Sequence, residues 1–79
     1  MATLRLFAGA REAAGTASVT VEGTTVADVL ARAVERFGAR FAEVLATSKV
    51  WVNGEEVPHG HPVGDNDEVA VLPPVSGGM

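Results

Sequence analysis

The sequence contains no cysteine. Disulfides, thiolate metal sites and cysteine nucleophiles are therefore excluded, and any sulfur chemistry must use sulfur that the chain acquires. The 79 residues allow one domain, with a core near the lower size limit for folding without disulfides or metals. The chain also lacks internal repeats and low-complexity linkers.

Long apolar runs are missing as well. The first residues, Met1 to Leu6, alternate apolar with polar side chains. Neither a signal peptide nor a membrane-spanning segment fits this pattern, because both need a continuous apolar stretch. We therefore expect a cytoplasmic protein without a membrane partner.

Positive charge is scarce and scattered. Ten acidic residues outnumber six basic ones, and the formal net charge is −4. The basic residues form no cluster with interleaved aromatic residues, so nucleic acid is not an expected partner. Lys49 is the only lysine, which leaves one side-chain amine as acceptor if copies of the protein were joined through lysine.

Alternation of apolar and polar residues predicts the strands. Residues 3–8 and 17–22 form two of them, with a turn over Gly9 to Gly15 between them. Val50 and Val52 mark a third strand, and Asn53-Gly54 is a dipeptide favoured in tight hairpins. A short edge strand over 55–57 and a last strand over 68–72 follow.

One helix stands out between these strands. Apolar residues from Val26 to Phe37 recur at spacings of three and four, Thr25 can cap the first turn, and Gly38 ends the helix. A short second helical turn is predicted around Phe41. The pattern indicates an α+β fold of the ubiquitin-like β-grasp type, with a mixed four- to five-stranded sheet packed on one main helix. The domain covers residues 1–72, and an extended tail covers 73–79.

The tail carries the strongest functional signal. Pro73 and Pro74 hold the backbone extended, and Gly77 and Gly78 lack a Cβ, so this segment can enter a slot that excludes side chains. Six residues from Pro73 to Gly78 reach at most about 20 Å. The alternative is an ordinary frayed terminus.

The strand pattern also predicts a surface that could bind a partner. If Leu6, Val50 and Val71 face the helix, then Phe7, Trp51 and Leu72 point from the opposite face of the sheet. Exposed apolar area often marks a partner site, so we expect a protein to dock here. The alternative is that a loop or the second helical turn covers these side chains.

Metal and nucleotide sites are not expected. His59 and His61 lie two residues apart in a loop, without a nearby third ligand or the helical spacing of zinc enzymes. The glycine pairs do not sit in the strand-to-helix context of a phosphate-binding loop. We expect no bound cofactor, and we expect ATP to bind a partner.

In several places the sequence resembles a known family, the sulfur-carrier proteins typified by the small subunit of molybdopterin synthase and its thiamine-pathway relatives (the MoaD/ThiS family). The resemblance spans nearly the whole chain. The matching pieces are Phe7-Ala8 with Arg11-Glu12 and Gly15, Val52-Asn53-Gly54, His61-Pro62, Asp65 to Ala70, and Pro73 to Gly78.

The resemblance implies a function at the tail. In this family a ubiquitin-activating-like adenylyltransferase (MoeB/ThiF type) uses ATP to adenylate the terminal glycine, here Gly78, which then becomes a thiocarboxylate. An acceptor such as the molybdopterin synthase large subunit receives the sulfur. The chain would be a carrier and not an enzyme. The residues expected to contact partners are Phe7, Arg11, Trp51, Leu72, Pro73, Pro74, Val75, Ser76 and Gly77. For Arg11, a surface ion pair with Glu12 is the alternative.

Met79 departs from the family pattern, which ends at the second glycine. An extra side chain would stand where only glycine fits, and the carboxylate would be displaced by one residue. A precursor from which a peptidase removes Met79 is one explanation. An unusual partner that tolerates Met79, or an altered chain, are the others.

Several functions remain open beside the molybdopterin pathway. The same sulfur chemistry could serve thiamine, cysteine or secondary-metabolite synthesis. Alternatively, Gly78 could be joined to lysines of target proteins, as in a ubiquitin-like modifier. The chain could also be a plain β-grasp interaction domain with an inert tail.

Overall fold

Five strands and three helices make up residues 1–74, the part of the chain that the computed structural model describes. No helix in this part is long and apolar enough to cross a membrane. In chain order the elements are β1 (Ala2–Leu6), α1 (Ala8–Ala14), β2 (Ser18–Val21), α2 (Val26–Phe37), α3 (Ala39–Ala46), β3 (Lys49–Val52), β4 (Glu55–Glu56) and β5 (Glu68–Leu72).

The strands form one mixed sheet in the order β2-β1-β5-β3-β4. β1 and β5 are parallel, with Leu4 opposite Val69 and Leu6 opposite Val71. The other neighbours are antiparallel. The predicted ubiquitin-like β-grasp fold is confirmed, and β5, which leads into Pro73, is the central strand of the sheet.

One face of this sheet supports the core. Side chains alternate across a strand, so the apolar residues two apart on β1, β3 and β5 point to the same side. Leu4, Val69 and Val71 have no exposed surface at all. The helices cover this side and contribute the core residues Ala10, Val26, Val29, Leu30, Ala33 and Phe41.

α2 has the predicted ends. The backbone N–H of Asp28 donates to Oγ1 of Thr25 at 3.1 Å, and the N–H of Thr24 donates to Oδ2 of Asp28 at 3.2 Å. These bonds satisfy donors that have no partner inside the helix. Gly38 ends the helix with a φ of 95°, a conformation that favours glycine.

The loop after β4 completes the start of α2. The N–H groups of Val26 and Ala27 donate to the backbone carbonyls of His61 and His59, at 2.9 and 2.7 Å. Both histidines therefore contribute to the fold through their main chain. Together with the Thr25 cap, these bonds hold the 57–64 loop against the helix.

The predicted turn over Gly9 to Gly15 is wrong, because this segment is the helix α1. Ala10 is fully buried, and Ala13 and Ala14 also pack against the core. These small side chains let α1 lie close to α3. Gly15 ends α1 with a φ of 78°, and its N–H donates to the carbonyl of Arg11 at 2.9 Å.

α3 is longer than the predicted single turn. It extends over eight residues, and its Phe41 is fully buried. The Phe41 ring lies 5.3 Å from the Phe37 ring, centroid to centroid, in a tilted arrangement that aromatic pairs favour. This contact joins α3 to the end of α2.

A polar network ties the β3-β4 hairpin to the start of β5. The Asn53 side-chain amide donates to Oδ1 of Asp67 at 2.9 Å, and the N–H of Gly64 donates to Oδ2 at 2.8 Å. The N–H of Glu68 in turn donates to Oδ1 of Asn53 at 3.0 Å. The hydrogen bond from Asn53, then that from Gly64, lowers the pKa of Asp67 below its ordinary 3.8.

This lowered pKa predicts an acid-sensitive contribution to stability. Because the folded state prefers the Asp67 carboxylate, the contribution is present above the ordinary pKa of 3.8 and is lost as the pH falls through the lower folded value. For Asp67→Asn we expect a lower free energy of unfolding than wild type at neutral pH. We also expect this free energy to decrease less than that of wild type below about pH 4. Urea unfolding between about pH 2 and 7 measures both. Glu35→Gln, on the exposed face of α2, controls for the loss of one negative charge. If the free energy of unfolding depended on pH in the same way in the wild-type and Asp67→Asn chains, Asp67 would not be the acid-sensitive group.

Candidate functional site

The base of the tail is the best-defined part of the candidate site. β5 ends at Leu72, which is half-buried, and Pro73 and Pro74 follow it without a turn. The remaining predicted site residues, Val75, Ser76, Gly77 and Gly78, and the proposed processing residue Met79, lie outside the described residues.

An open groove of about 650 Å³ flanks the tail base. Pro73 and Pro74 form one wall, and the start of α1 and the end of α3 form the other walls through Ala8, Gly9, Glu43, Val44 and Thr47. Sequence reasoning missed this groove because Ala8 was predicted to end the first strand and Gly9 to Gly15 to form a turn, whereas β1 ends at Leu6 and α1 begins at Ala8. Ala8 itself has a φ of 49°, which few non-glycine residues adopt.

The sheet face opposite the core carries the predicted docking residues. Trp51 on β3 lies between Ala70 on β5 and Glu56 on β4, and it is half-buried. Its neighbours along the strand, Val50 and Val52, point into the core. Trp51 therefore stands on the side that the helices do not cover.

Phe7 and Leu72 lie at the tail end of the same face. Leu6 pairs with Val71, so Phe7 lies at the level of Leu72, and its extended backbone (φ −124°, ψ 153°) continues the alternation of β1. The Phe7 side chain is 40% exposed, the highest fraction of any large apolar residue in 1–74 except Met1. We name Phe7, Trp51, Ala70 and Leu72 the open face.

The Trp51 indole has an unusual environment. Its Nε1 is buried from solvent, and no acceptor lies within hydrogen-bonding distance among residues 1–74. Most buried indole N–H groups find a hydrogen-bond partner, so the unpaired Nε1–H of Trp51 lowers the stability of the free domain.

Charged residues border the open face. Arg5 lies opposite Ala70, and its Nη1 is 3.3 Å from Oε2 of Glu68, with both side chains about half exposed. Lys49 lies opposite Leu72 and is exposed. Arg5 is two residues before Phe7, so alternation along the strand puts both on this side, but the closeness of Lys49 to the tail is visible only from the β3-β5 register.

Arg11 is exposed on α1. The expected alternative for it, an ion pair with Glu12, does not occur among the described residues, whose ion pairs are those of Met1, Arg5 and Arg32. Nothing in the described part of the chain gives Arg11 a structural role beyond closing α1 through its carbonyl.

A metal site would require several ligating side chains close together in the described part of the chain. No cluster of three His, Asp or Glu side chains there is placed to hold a metal ion. The tail base and the groove lie where β5 ends, and Phe7 and Leu72 of the open face lie at the same end of the sheet. This arrangement suits delivery of a chain terminus to another protein.

In this β-grasp domain the central strand is followed in sequence by two prolines and a pair of glycines. This is the architecture of ubiquitin-like carriers and modifiers. Comparison with known proteins agrees with this class. The sequence profile of the ThiS family matches residues 4–78, so the match ends at Gly78. The chain belongs to the ThiS family, and the predicted resemblance to sulfur-carrier proteins is confirmed.

Solved structures of similar fold agree. SAMP1 from Haloferax volcanii is 34% identical, with a TM-score of 0.81 and 98% of each chain covered. CysO in the Amycolatopsis orientalis BexX/CysO complex is 26% identical, with a TM-score of 0.84, over 99% of this chain and 100% of that one. A putative molybdopterin converting factor subunit 1 from Pyrococcus furiosus is 28% identical, with a TM-score of 0.78, over 94% and 97%.

Proposed function

We propose that this protein is a cytoplasmic sulfur carrier whose reactive group is the carboxyl of Gly78 after removal of Met79. The observation that carries the proposal is the continuation of β5, the central strand of the sheet, into Pro73 and Pro74. A rigid body followed by a stiff, narrow chain can deliver a terminus into a partner while the domain stays outside. The family match that ends at Gly78 supports the same boundary.

The chemistry begins with a poor acylating group. An ATP-dependent adenylyltransferase must first convert the Gly78 carboxylate into an acyl adenylate, with release of pyrophosphate. Hydrosulfide then attacks the acyl carbon, the C–O bond to AMP breaks, and a thiocarboxylate and free AMP are formed. The chain supplies position and the acyl group, while ATP and the sulfur source bind partners.

We assign the docking of these partners to the open face and the tail. Apolar residues on a face that the protein's own helices leave uncovered offer area that a partner can bury. Aromatic residues such as Phe7 and Trp51 are frequent anchors in interfaces. Pro73 and Pro74 reduce the entropy lost when the tail is ordered, and Arg11, Val75, Ser76 and Gly77 contact the partner along the approach.

The sulfur acceptor that we favour is the large subunit of a molybdopterin synthase, in which this chain would be the non-catalytic small subunit. The Pyrococcus furiosus neighbour named as a molybdopterin converting factor subunit supports this choice. The complex of CysO with BexX supports the broader point that a protein similar to this chain binds a separate partner protein. Thiamine, cysteine and secondary-metabolite enzymes are the competing acceptors.

A second function is favoured by a specific observation. The Haloferax volcanii protein, 34% identical to this chain, is named a small archaeal modifier protein. In that role the activated Gly78 acyl group would be attacked by a lysine amine of a target protein, and AMP would leave. The first step, adenylation, is common to both functions.

Reconstitution tests the carrier function. The chain ending at Gly78 is incubated with its adenylyltransferase, ATP and sodium sulfide, and intact masses are recorded. We expect a product heavier by about 16 Da, the replacement of one oxygen by sulfur. The matched control is a chain that also lacks Gly78, which should keep its mass. Adducts to target lysines without any sulfur form would favour the modifier function, and an unchanged mass in both chains would contradict the proposal.

A further inference from the structure

We propose that Lys49 is an acylation site that controls whether the protein can be activated. The inference rests on the proposed function, since it concerns access of the adenylyltransferase to the open face. An acyl group on Nζ would remove the only lysine charge of the chain and place new bulk beside the tail base.

The position of Lys49 is the main argument. It is the first residue of β3, pairs with Leu72 on β5, and lies two residues before Trp51 on the same face. Paired residues of antiparallel strands lie about 5 Å apart, and residues two apart along a strand about 7 Å. A partner that covers both Trp51 and Leu72 therefore also covers Lys49, because a typical interface spans about 800 Å² on each protein.

Lys49 is also chemically available. It is exposed, and it takes part in none of the ion pairs among residues 1–74. The chain's other amine, the amino group of Met1, is paired with Asp65 at the opposite end of the β1-β5 pair. Nothing in the described structure competes for Nζ of Lys49.

The contact of Lys49 with a partner is expected to be favourable while the amine is free. The four-carbon stem can lie along apolar surface next to Leu72 and Trp51, and the ammonium group can reach a carboxylate at the rim of the interface. Acylation removes the ammonium charge and its salt-bridge capacity. An attached protein domain would additionally cover the open face.

The modifying reaction is amide formation at Nζ. The amine attacks an activated carboxyl, the new N–C bond forms, the leaving group of the donor departs, and Nζ loses a proton. Two donors share this chemistry: an acetyl donor, and the activated Gly78 of a second copy. Because Lys49 is the single lysine, either donor gives one defined product at a side chain, and the chain is either modified there or not.

The test uses the chain ending at Gly78 and ATP–pyrophosphate exchange with its adenylyltransferase. Sulfosuccinimidyl acetate modifies both amines of the wild-type chain, but only the amino terminus of Lys49→Arg. We expect exchange by the treated wild-type chain to fall at least about tenfold, and the treated Lys49→Arg chain to stay within about twofold of its untreated form. Equal rates for treated and untreated wild-type chains, or an equal loss in both treated chains, would overturn the proposal.

A further variant separates this inference from the proposed function. Trp51→Ala truncates the centre of the open face, and we expect it to slow exchange. If Trp51→Ala slows exchange and acetylation does not, Lys49 has no controlling role and the docking surface stands. If neither changes the rate, the open face is not the docking surface. Absence of exchange by the untreated chain would instead refute activation at Gly78.

The source of the acyl group is read from the protein isolated from its own cells. Acetylation adds about 42 Da, whereas linkage through Gly78 adds the mass of a second chain, which is 8.1 kDa for all 79 residues, less Met79 and one water. Fragmentation should place either adduct on Lys49. Native protein that carries neither adduct overturns the proposal.

Discussion

Removing Met79 is expected to raise the rate of adenylation at least about a hundredfold. One additional residue displaces the terminal carboxylate by about 3.5 Å, and misplacement by as little as about 1 Å can cost a hundredfold in rate. The side chain adds a second obstacle, because the Met79 Cβ and thioether must enter a path suited to glycine. Pyrophosphate exchange with the chains ending at Met79 and at Gly78 measures the ratio.

A third chain separates the two obstacles. Met79→Gly keeps the extra residue but removes its side chain. We expect it to remain as slow as the full chain, since the carboxylate is still one residue out of place. Recovery of the full rate by Met79→Gly would show that only side-chain bulk matters. Equal rates for the 79-residue chain and the chain ending at Gly78 would contradict the precursor hypothesis.

The largest effect on folding is expected from Gly23→Ala. Gly23 lies between β2 and α2 with a φ of 158°, and a Cβ there would lie 2.6 Å from Cγ2 of Val29 and 2.9 Å from its backbone nitrogen. Val29 is fully buried, and its N–H already donates to the carbonyl of Thr25, so it has little room to move. Backbone strain and overpacking each cost about 1–3 kcal/mol, and we expect a total of about 2–5 kcal/mol.

Two other glycines serve as matched controls. A Cβ at Gly60 would meet nothing within 4 Å, and its φ is not in the left-handed range, so Gly60→Ala should change stability by less than about 1 kcal/mol. Gly15 has equally open surroundings but a φ of 78°, so Gly15→Ala should show backbone strain alone, about 1 kcal/mol.

Unfolding in urea can be followed by fluorescence, because Trp51 is the only tryptophan and the chain has no tyrosine. The expected order of stability is Gly60→Ala, then Gly15→Ala, then Gly23→Ala. A domain of this size has a total stability of about 4–12 kcal/mol, so the last change removes a large fraction of it. A loss below about 1 kcal/mol in Gly23→Ala would contradict the close approach of the β2-α2 connection to Val29.

The features that local sequence determines were predictable. The Thr25 cap, the Gly38 stop and the Asn53-Gly54 turn follow from short-range chemistry, and each occurs as expected. Strand alternation also placed Trp51 and Leu72 opposite the core. Assigning a strand residue to one face of the sheet requires only the two-residue repeat of side chains, and not the identity of the neighbouring strands.

Long-range pairing was beyond the same reasoning. Alternation assigns a side chain to a face but does not say which strands are adjacent, so the parallel β1-β5 pair and the placement of Lys49 beside Leu72 came from the structure. The Asn53-Asp67 bond joins residues 14 apart, and no local rule selects it. α1 was missed because Gly9 and Gly15 resemble the ends of a turn, whereas Gly9 lies inside the helix and Ala10, Ala13 and Ala14 pack into or against the core.

The most direct test of the account is the intact mass of the protein isolated from its own cells without alkylation. We predict a chain that lacks Met79, part of which is heavier by about 16 Da because the Gly78 carboxylate has become a thiocarboxylate. Fragmentation should place the added mass on Gly78. A protein that retains Met79 and carries no sulfur form would contradict the central claim and favour a β-grasp domain with an inert tail.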